Sequence, residues 1–154
     1  MKTDNEKTIN ILNDLIEVCR DGQQGFKSAA DDAKDAALKR QLADFSLQRS
    51  RYITELQQQV RLLGGDPDKR GSAIGALHRG WIDLKAAISS NEPHAVLAEC
   101  ERGEDSAVKN YREALAKTEL DSSSRTLVQK QFAGIQQAHD TVKALRDSPV
   151  YAQS

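Results

Sequence analysis

Glu55, Glu104 and His139 are the residues of this chain best placed to bind a metal ion. In carboxylate di-metal bundles, two helices supply one carboxylate each and two others supply a Glu-x-x-His pair, because residues i and i+3 share a helix face. His139 follows Gln136 at this spacing, and Glu55 precedes Gln58 at the same spacing. Each pair therefore keeps one strong ligand, and Glu104 on another apolar stripe is the third.

Amides at the other ligand positions argue against a complete two-metal centre. Gln23 stands where the first half of the chain would need a carboxylate equivalent to Glu104. Amide oxygens are weak ligands and do not neutralise a divalent ion, so the centre would lack negative charge. One interpretation is a reduced site for iron, manganese or zinc at Glu55, Glu104 and His139. The other is a metal-free, buried hydrogen-bonded network made of Gln23, Gln58, Glu104, Gln136 and His139.

A second candidate is the segment His78-Arg79-Gly80-Trp81, which places a cation and an aromatic ring beside a glycine. Such a segment could contact an anion, but Trp81 also occupies a core position in a short apolar stripe. We therefore expect Trp81 to pack in the core. The charged run from Arg49 through Arg51 is predicted to lie on a solvated helix face.

The two cysteines, Cys19 and Cys100, each lie inside an apolar stripe of a predicted helix. In a reducing compartment, cysteines of this kind behave as small buried hydrophobic residues. We expect no disulfide between them. A weak repeat at an offset of 81 residues pairs Cys19 with Cys100 and Gly22 with Gly103, which indicates two related halves.

Apolar residues recur at three-to-four spacing in four long segments, which predicts four amphipathic helices. The first begins near Asp4 and ends at a turn at Asp31-Asp32, and Gly64-Gly65-Asp66-Pro67 ends the second. Ser90-Asn91-Glu92-Pro93 starts the third. Asp121 and the serines after it start the last helix.

The connection between the second and third long helices carries a shorter apolar stripe from Ser72 to Ser89, which predicts a short extra helix. No alternating β pattern occurs in the sequence. We therefore predict an all-α fold, a ferritin-like four-helix bundle with this short helix in the crossover. At 154 residues the chain is expected to form a single domain over residues 1–154.

The charge balance argues against nucleic acid as a partner. Lysine and arginine total 22 against 23 acidic residues, so the chain has no broad cationic surface for phosphates. No apolar run approaches the roughly 20 residues that span a bilayer, and the first residues lack the apolar segment of a secretory signal. We expect a cytoplasmic protein that binds neither membrane nor nucleic acid.

Three segments together resemble a known but uncharacterised family. They run from Leu12 to Phe26, from Gly71 to Trp81 and from Cys100 to Asp105. Over nearly its whole length, the chain is similar to a ferritin-like four-helix-bundle family found mostly in proteobacteria and labelled a domain of unknown function. The resemblance implies the ferritin-like fold and supplies no activity.

We predict a non-catalytic, stress-associated bundle without a cofactor that acts through a protein partner or self-association. The alternative is a metal-binding ferritin-like protein with a reduced carboxylate and histidine site at Glu55, Glu104 and His139. Compared with the wider ferritin-like ligand pattern, the chain has amides at key positions. This departure speaks against ferroxidase activity and iron storage.

Overall fold

The computed structural model describes residues 3–69 and 81–151. Within these ranges the chain is helical and has no strand, which confirms the predicted all-α class. None of the described helices combines the length and apolar character needed to cross a bilayer. The helices are α1 (Asp4–Asp32), α2 (Ala36–Leu62), α3 (Leu84–Ser89), α4 (Pro93–Leu115) and α5 (Ser122–Asp147).

Polar side chains define where the long helices begin. Thr3, Asp35 and Asp121 each accept a hydrogen bond from a backbone N–H two or three residues further on, at 2.9 to 3.1 Å. Each bond satisfies a donor that the first turn leaves unpaired. Pro93 stands in the first turn of α4, as predicted. After α2 the chain turns at Gly64, whose φ of 84° is readily adopted only by glycine.

The four long helices pack as two hairpins. α1 and α2 form one, α4 and α5 form the other, and the hairpins meet through α1 against α4 and α2 against α5. Thr8 donates to the Glu119 carbonyl at 2.7 Å near one end of the bundle, and Lys34 donates to Asn91 at 3.0 Å near the other. α1 and α4 are therefore antiparallel, and the end of α2 and the start of α4 lie at opposite ends of the bundle.

The predicted short helix from Ser72 to Ser89 lies partly outside the described residues. In the described part of the crossover, the helix is α3, which begins only at Leu84. The candidate anion-binding residues His78, Arg79 and Gly80 also lie outside the described residues. Of that segment, Trp81 is described.

Trp81 packs between α1 and α4, as predicted for a core residue. Its indole ring lies edge-on to Phe26, with 5.1 Å between the ring centroids. The ring also rests on Gly25 of α1 and Gly103 of α4, where an added Cβ would overlap the indole atoms. These two glycines therefore let the crossover lie close against the bundle.

Two clusters of buried apolar side chains fill the bundle. One surrounds Leu12 and Leu56, and the other surrounds Phe26 and Leu97. Buried polar side chains from all four long helices lie among them, and they are the residues from which a functional site could be built.

Candidate functional site

An ion pair between Arg49 of α2 and Glu104 of α4 is buried inside the bundle. Arg49 Nη2 lies 2.6 Å from Glu104 Oε2, and the side chains are 1 % and 0 % exposed. Arg49 passes over the ring of Phe26, 5.4 Å from its centroid. It also lies against Gly22, where an added Cβ would be 2.7 Å from Nη1. The missing side chain at Gly22 therefore gives the guanidinium room to reach the interior.

The prediction that Arg49 lies on a solvated face is wrong. Arg49 stands four residues after Phe45 and four before Ile53, both of which are buried, so it shares their inward face. Burial alone would lower the pKa of Arg49, but the charge and hydrogen bond of Glu104 outweigh burial and raise it. The guanidinium therefore stays charged, and Glu104 balances it.

A chain of hydrogen bonds links all four long helices next to this ion pair. The Tyr111 hydroxyl donates to Gln131 Oε1 at 2.7 Å, and Gln131 Nε2 donates to Glu55 Oε1 at 3.0 Å. Cys19 Sγ lies 3.1 Å from the Tyr111 oxygen. Because the phenol proton is already used toward Gln131, the Cys19 thiol is the donor in this contact. Cys19 and Tyr111 are fully buried.

The buried network therefore differs from the predicted one. Gln58 and Gln136 are exposed, and Gln23 donates instead to Ser50 Oγ at 2.6 Å. Gln131, which the sequence analysis did not single out, is the fully buried amide. Its signal in the sequence was its place on the stripe of α5 that also carries Val128 and Ile135.

Both cysteines are free and buried, which confirms the expectation that they form no disulfide. Burial raises the pKa of Cys19 to about 11, with the nearby Arg49 charge acting in the opposite direction. Burial also raises the pKa of Cys100 strongly and that of Tyr111 well above its ordinary value. Thiols and phenol are therefore protonated near neutral pH, and neither cysteine is available as a thiolate nucleophile.

The structure places the three predicted metal ligands in different surroundings. Glu104 is buried in its ion pair, and Glu55 is half-buried in the network described above. His139 is only partly buried, and its two ring nitrogens face Asp105 and Asp140. Among the described residues, Glu55, Glu104 and His139 are not brought within the distance at which ligand atoms share an ion. Their joint binding of a metal stays a prediction.

His139 instead belongs to a cluster with two acids of α4, Glu101 and Asp105. Each residue offers a ligand atom, and these atoms all lie within 4.8 Å of one another. Partial burial lowers the pKa of His139, but the hydrogen bonds that its ring donates to Asp140 and Asp105 outweigh burial and raise it. The sequence did not predict the two acids as ligands, because a Glu-x-x-His pattern relates residues of one helix. This cluster joins residues of two helices.

A cavity of about 330 Å³ opens near the start of α4. Its walls are mostly apolar, and four of the polar residues at its rim are paired with one another. Lys34 donates to Asn91 at 3.0 Å, and the Tyr151 hydroxyl donates to Asp35. The cavity therefore offers space for a small apolar group. Its lining residues are Ala29, Asp32, Ala33, Lys34, Asp35, Leu38, Leu42, Asn91, Glu92, Pro93, Val96 and Tyr151.

Comparison with protein families places most of the chain in a family. The family model described as a domain of unknown function, DUF2383, matches residues 7–117. No curated protein matches the chain. The matched region runs from α1 to the turn after α4, so it includes Arg49 and Glu104. It ends before α5, which carries Gln131 and His139.

Proposed function

Because the chain belongs to the DUF2383 family, whose description names no activity, we propose a function from the interior of the bundle and from its outer surface. The protein is a bacterial, ferritin-like bundle without catalytic activity. It acts in the cytoplasm through contacts of its outer surface with a protein partner or a second copy of itself. Two antiparallel hairpins joined by one long crossover are the arrangement of ferritin-like proteins, which supports the fold assignment.

The observation that carries this proposal is the ion pair of Arg49 and Glu104. A di-metal bundle directs several carboxylates at its cations. Here a guanidinium of the chain itself lies 2.6 Å from the only fully buried carboxylate of the described residues. A divalent cation bound to Glu104 Oε2 would have to displace Arg49 and leave that charge unpaired, which costs about 3 to 5 kcal/mol. A cation at Glu104 Oε1, which has no hydrogen-bond partner, would lie beside the positive guanidinium and be repelled by it.

The other buried groups also favour a structural role. Cys19, Tyr111 and Gln131 hydrogen-bond one another, and the pKa of Cys19 is raised to about 11 by burial. A protonated thiol is a poor nucleophile and a poor metal ligand. These groups therefore hold helices together rather than activate a substrate.

The outer surface offers apolar side chains for protein contacts. Leu47 and Leu62 of α2 are 58 % and 81 % exposed, although both are large and apolar. At 3.6 residues per turn, their directions differ by about 60°, and they lie about 22 Å apart along the helix. We therefore expect a protein partner or a second copy of the chain to contact this side of α2.

Light scattering tests the proposal. The purified chain is expected to show a mass above that of the monomer at micromolar concentrations, and Leu47→Ser with Leu62→Ser is expected to lower it. The matched control is Thr54→Ser with Gln58→Ser, at two exposed positions of the same helix. A strict monomer that also retains no partner when used as bait contradicts the proposal.

Metal analysis tests the alternative, a metal site inside the bundle. The chain is purified anaerobically with iron, manganese or zinc, and bound metal is measured per chain. Stoichiometric metal that is lost in both Glu104→Ala and His139→Ala would favour the alternative. Retention of the parent's metal in Glu104→Ala would argue against an interior site.

A further inference from the structure

The cluster of Glu101, Asp105 and His139 lies across the contact between α4 and α5, apart from the buried ion pair. The two acids are four residues apart on α4, so they share one helix face. His139 reaches them from α5, with its Nε2 atom 2.6 Å from Asp105 Oδ1. We propose that these three side chains bind a divalent transition-metal ion, with zinc as the ion that the donor set fits first.

The donor atoms are close to the spacing that a metal requires. They all lie within 4.8 Å of one another. Two ligands on a tetrahedral zinc ion, at bond lengths of about 2.1 Å, are about 3.4 Å apart. Movements of about 1 Å would therefore bring the three atoms onto one ion. One imidazole nitrogen and two carboxylate oxygens are a donor set that zinc accepts.

Asp140 supplies a second observation for the site. Its Oδ1 atom lies 3.1 Å from Nδ1 of His139, on the far side of the ring from Asp105. In metal sites, the second ring nitrogen of a ligating histidine usually donates to a carboxylate, which fixes the tautomer and raises the basicity of the ligating nitrogen. With Nδ1–H held by Asp140, a metal ion would take the place of the Nε2 proton that Asp105 accepts in the metal-free chain.

The charge around His139 favours a cation. Glu101, Asp105 and Asp140 face it with three carboxylates, and Arg146 is the cation beside them. Arg146 contacts Glu101, but its Nε and Nη2 atoms also bond Asp147, at 2.9 and 3.2 Å. Glu101 can therefore turn to a metal while the guanidinium keeps a carboxylate partner. When Glu101 binds the metal ion, Arg146 no longer competes with the ion for this carboxylate.

The cluster is open to solvent on one side. The Asp105 side chain is 59 % exposed, whereas His139 is 19 % exposed. Water can therefore complete the coordination sphere, as it does where three protein ligands hold zinc. Because its ligands come from two helices, bound metal would cross-link α4 and α5 and stabilise the folded chain. The site does not depend on the proposed function, since it leaves Arg49 and Glu104 untouched.

Calorimetric titration of the full chain with zinc chloride tests the site. We expect one zinc ion per chain with a Kd in the micromolar range, and a melting temperature raised by a few degrees at saturation. His139→Ala and Asp105→Asn are each expected to weaken binding at least about tenfold. Because the Asp105 side chain is mostly exposed, we expect Asp105→Asn to fold like the parent.

Two controls separate this site from other zinc-binding positions. Asp44→Asn removes an exposed carboxylate of α2, and Glu55→Gln removes a carboxylate of the interior alternative. Both are expected to bind zinc like the parent. The proposal is overturned if the parent binds no zinc at millimolar concentration, or if Asp105→Asn and His139→Ala bind it unchanged. An equal loss in either control would also overturn it.

Discussion

Arg49 and Glu104 are 55 residues apart in sequence and 2.6 Å apart in the fold. Burying either charge alone would cost free energy, and each charge compensates for the burial of the other. The pair joins α2 to α4, which belong to different hairpins and are not one of the two helix pairs through which the hairpins meet. It therefore fixes how the two hairpins sit on each other.

Breaking this ion pair is the most destabilising change we expect from a single polar substitution. Arg49→Met or Glu104→Gln leaves a buried charge without its counter-charge, which costs about 3 to 5 kcal/mol of unfolding free energy. The double variant removes both charges and is expected to recover much of that loss. Urea unfolding of the parent, the two single variants and the double variant, monitored by circular dichroism, gives the coupling energy of this double-mutant cycle.

The exposed pair of Lys27 and Asp31 is the matched control for this cycle. Its side chains are 70 % and 66 % exposed, and the ion pair lies between residues four apart on α1. Lys27→Ala is expected to change stability by about 0 to 1 kcal/mol, because solvent screens the pair. If the effects of Arg49→Met and Glu104→Gln simply add, the pair is not coupled as described.

Gly103→Ala should destabilise the fold, against the usual trend. Inside a helix, alanine is favoured over glycine by about 1 kcal/mol. At Gly103 an added Cβ would overlap the Trp81 indole, so overpacking of about 1 to 3 kcal/mol should outweigh that gain. Urea unfolding measures the loss. Because Trp81 is the only tryptophan, its emission should also shift to the red as the ring is displaced.

A second-site variant separates overpacking from other effects at this glycine. Trp81→Leu in the Gly103→Ala background should cost less than the sum of the two single changes, since the smaller side chain leaves room for the methyl group. Unfolding of these chains is followed by circular dichroism. Strict additivity would contradict the contact.

Local features of the sequence predicted the helices well. The starts at Asp4, Pro93 and Ser122 follow from capping residues and apolar spacing, which act within one turn. The predicted turn at Asp31-Asp32 was three residues early, because α1 includes both acids and Asp35 caps α2 instead. Two neighbouring acidic candidates differ too little in sequence for the choice to be made without the fold.

The interior could not be predicted in the same way. Arg49 was assigned to the surface by its charge, whereas its partner Glu104 and the space at Gly22 come from two other helices. His139 was expected either in a metal site or in a buried network with the amides, whereas its ring bonds Asp105 near the surface. In both cases the contact that decides where the side chain lies joins residues of different helices. Only the packing of the bundle brings such residues together.

The thiols should be unreactive in the folded chain at pH 8. Cys19 and Cys100 are buried, and the pKa of Cys19 is raised to about 11. Ellman's reagent should therefore react slowly with the native protein and rapidly in denaturant. Fast reaction of the folded chain would contradict the burial of these residues.

Cys19 should also make stability depend on alkaline pH. The thiol ionises near pH 9 when unfolded and near pH 11 when folded, so the unfolded state releases its proton first. Its contribution to stability is intact below about pH 9 and is lost as pH rises toward 11. Urea midpoints at several pH values measure the decline, and Cys19→Ala should make it shallower. Equal slopes for the two chains would rule out Cys19 as the cause.

Tyr111→Phe should destabilise the bundle although it removes only one oxygen atom. The Tyr111 hydroxyl donates to Gln131 and accepts from Cys19, so its loss leaves two buried polar groups unsatisfied. An unsatisfied buried group costs about 1 to 3 kcal/mol. Cys19→Ala in the same background should recover part of the loss, since it removes one of those groups. Urea unfolding of both variants measures the effect, and a neutral Tyr111→Phe would show that the hydroxyl does not support the packing.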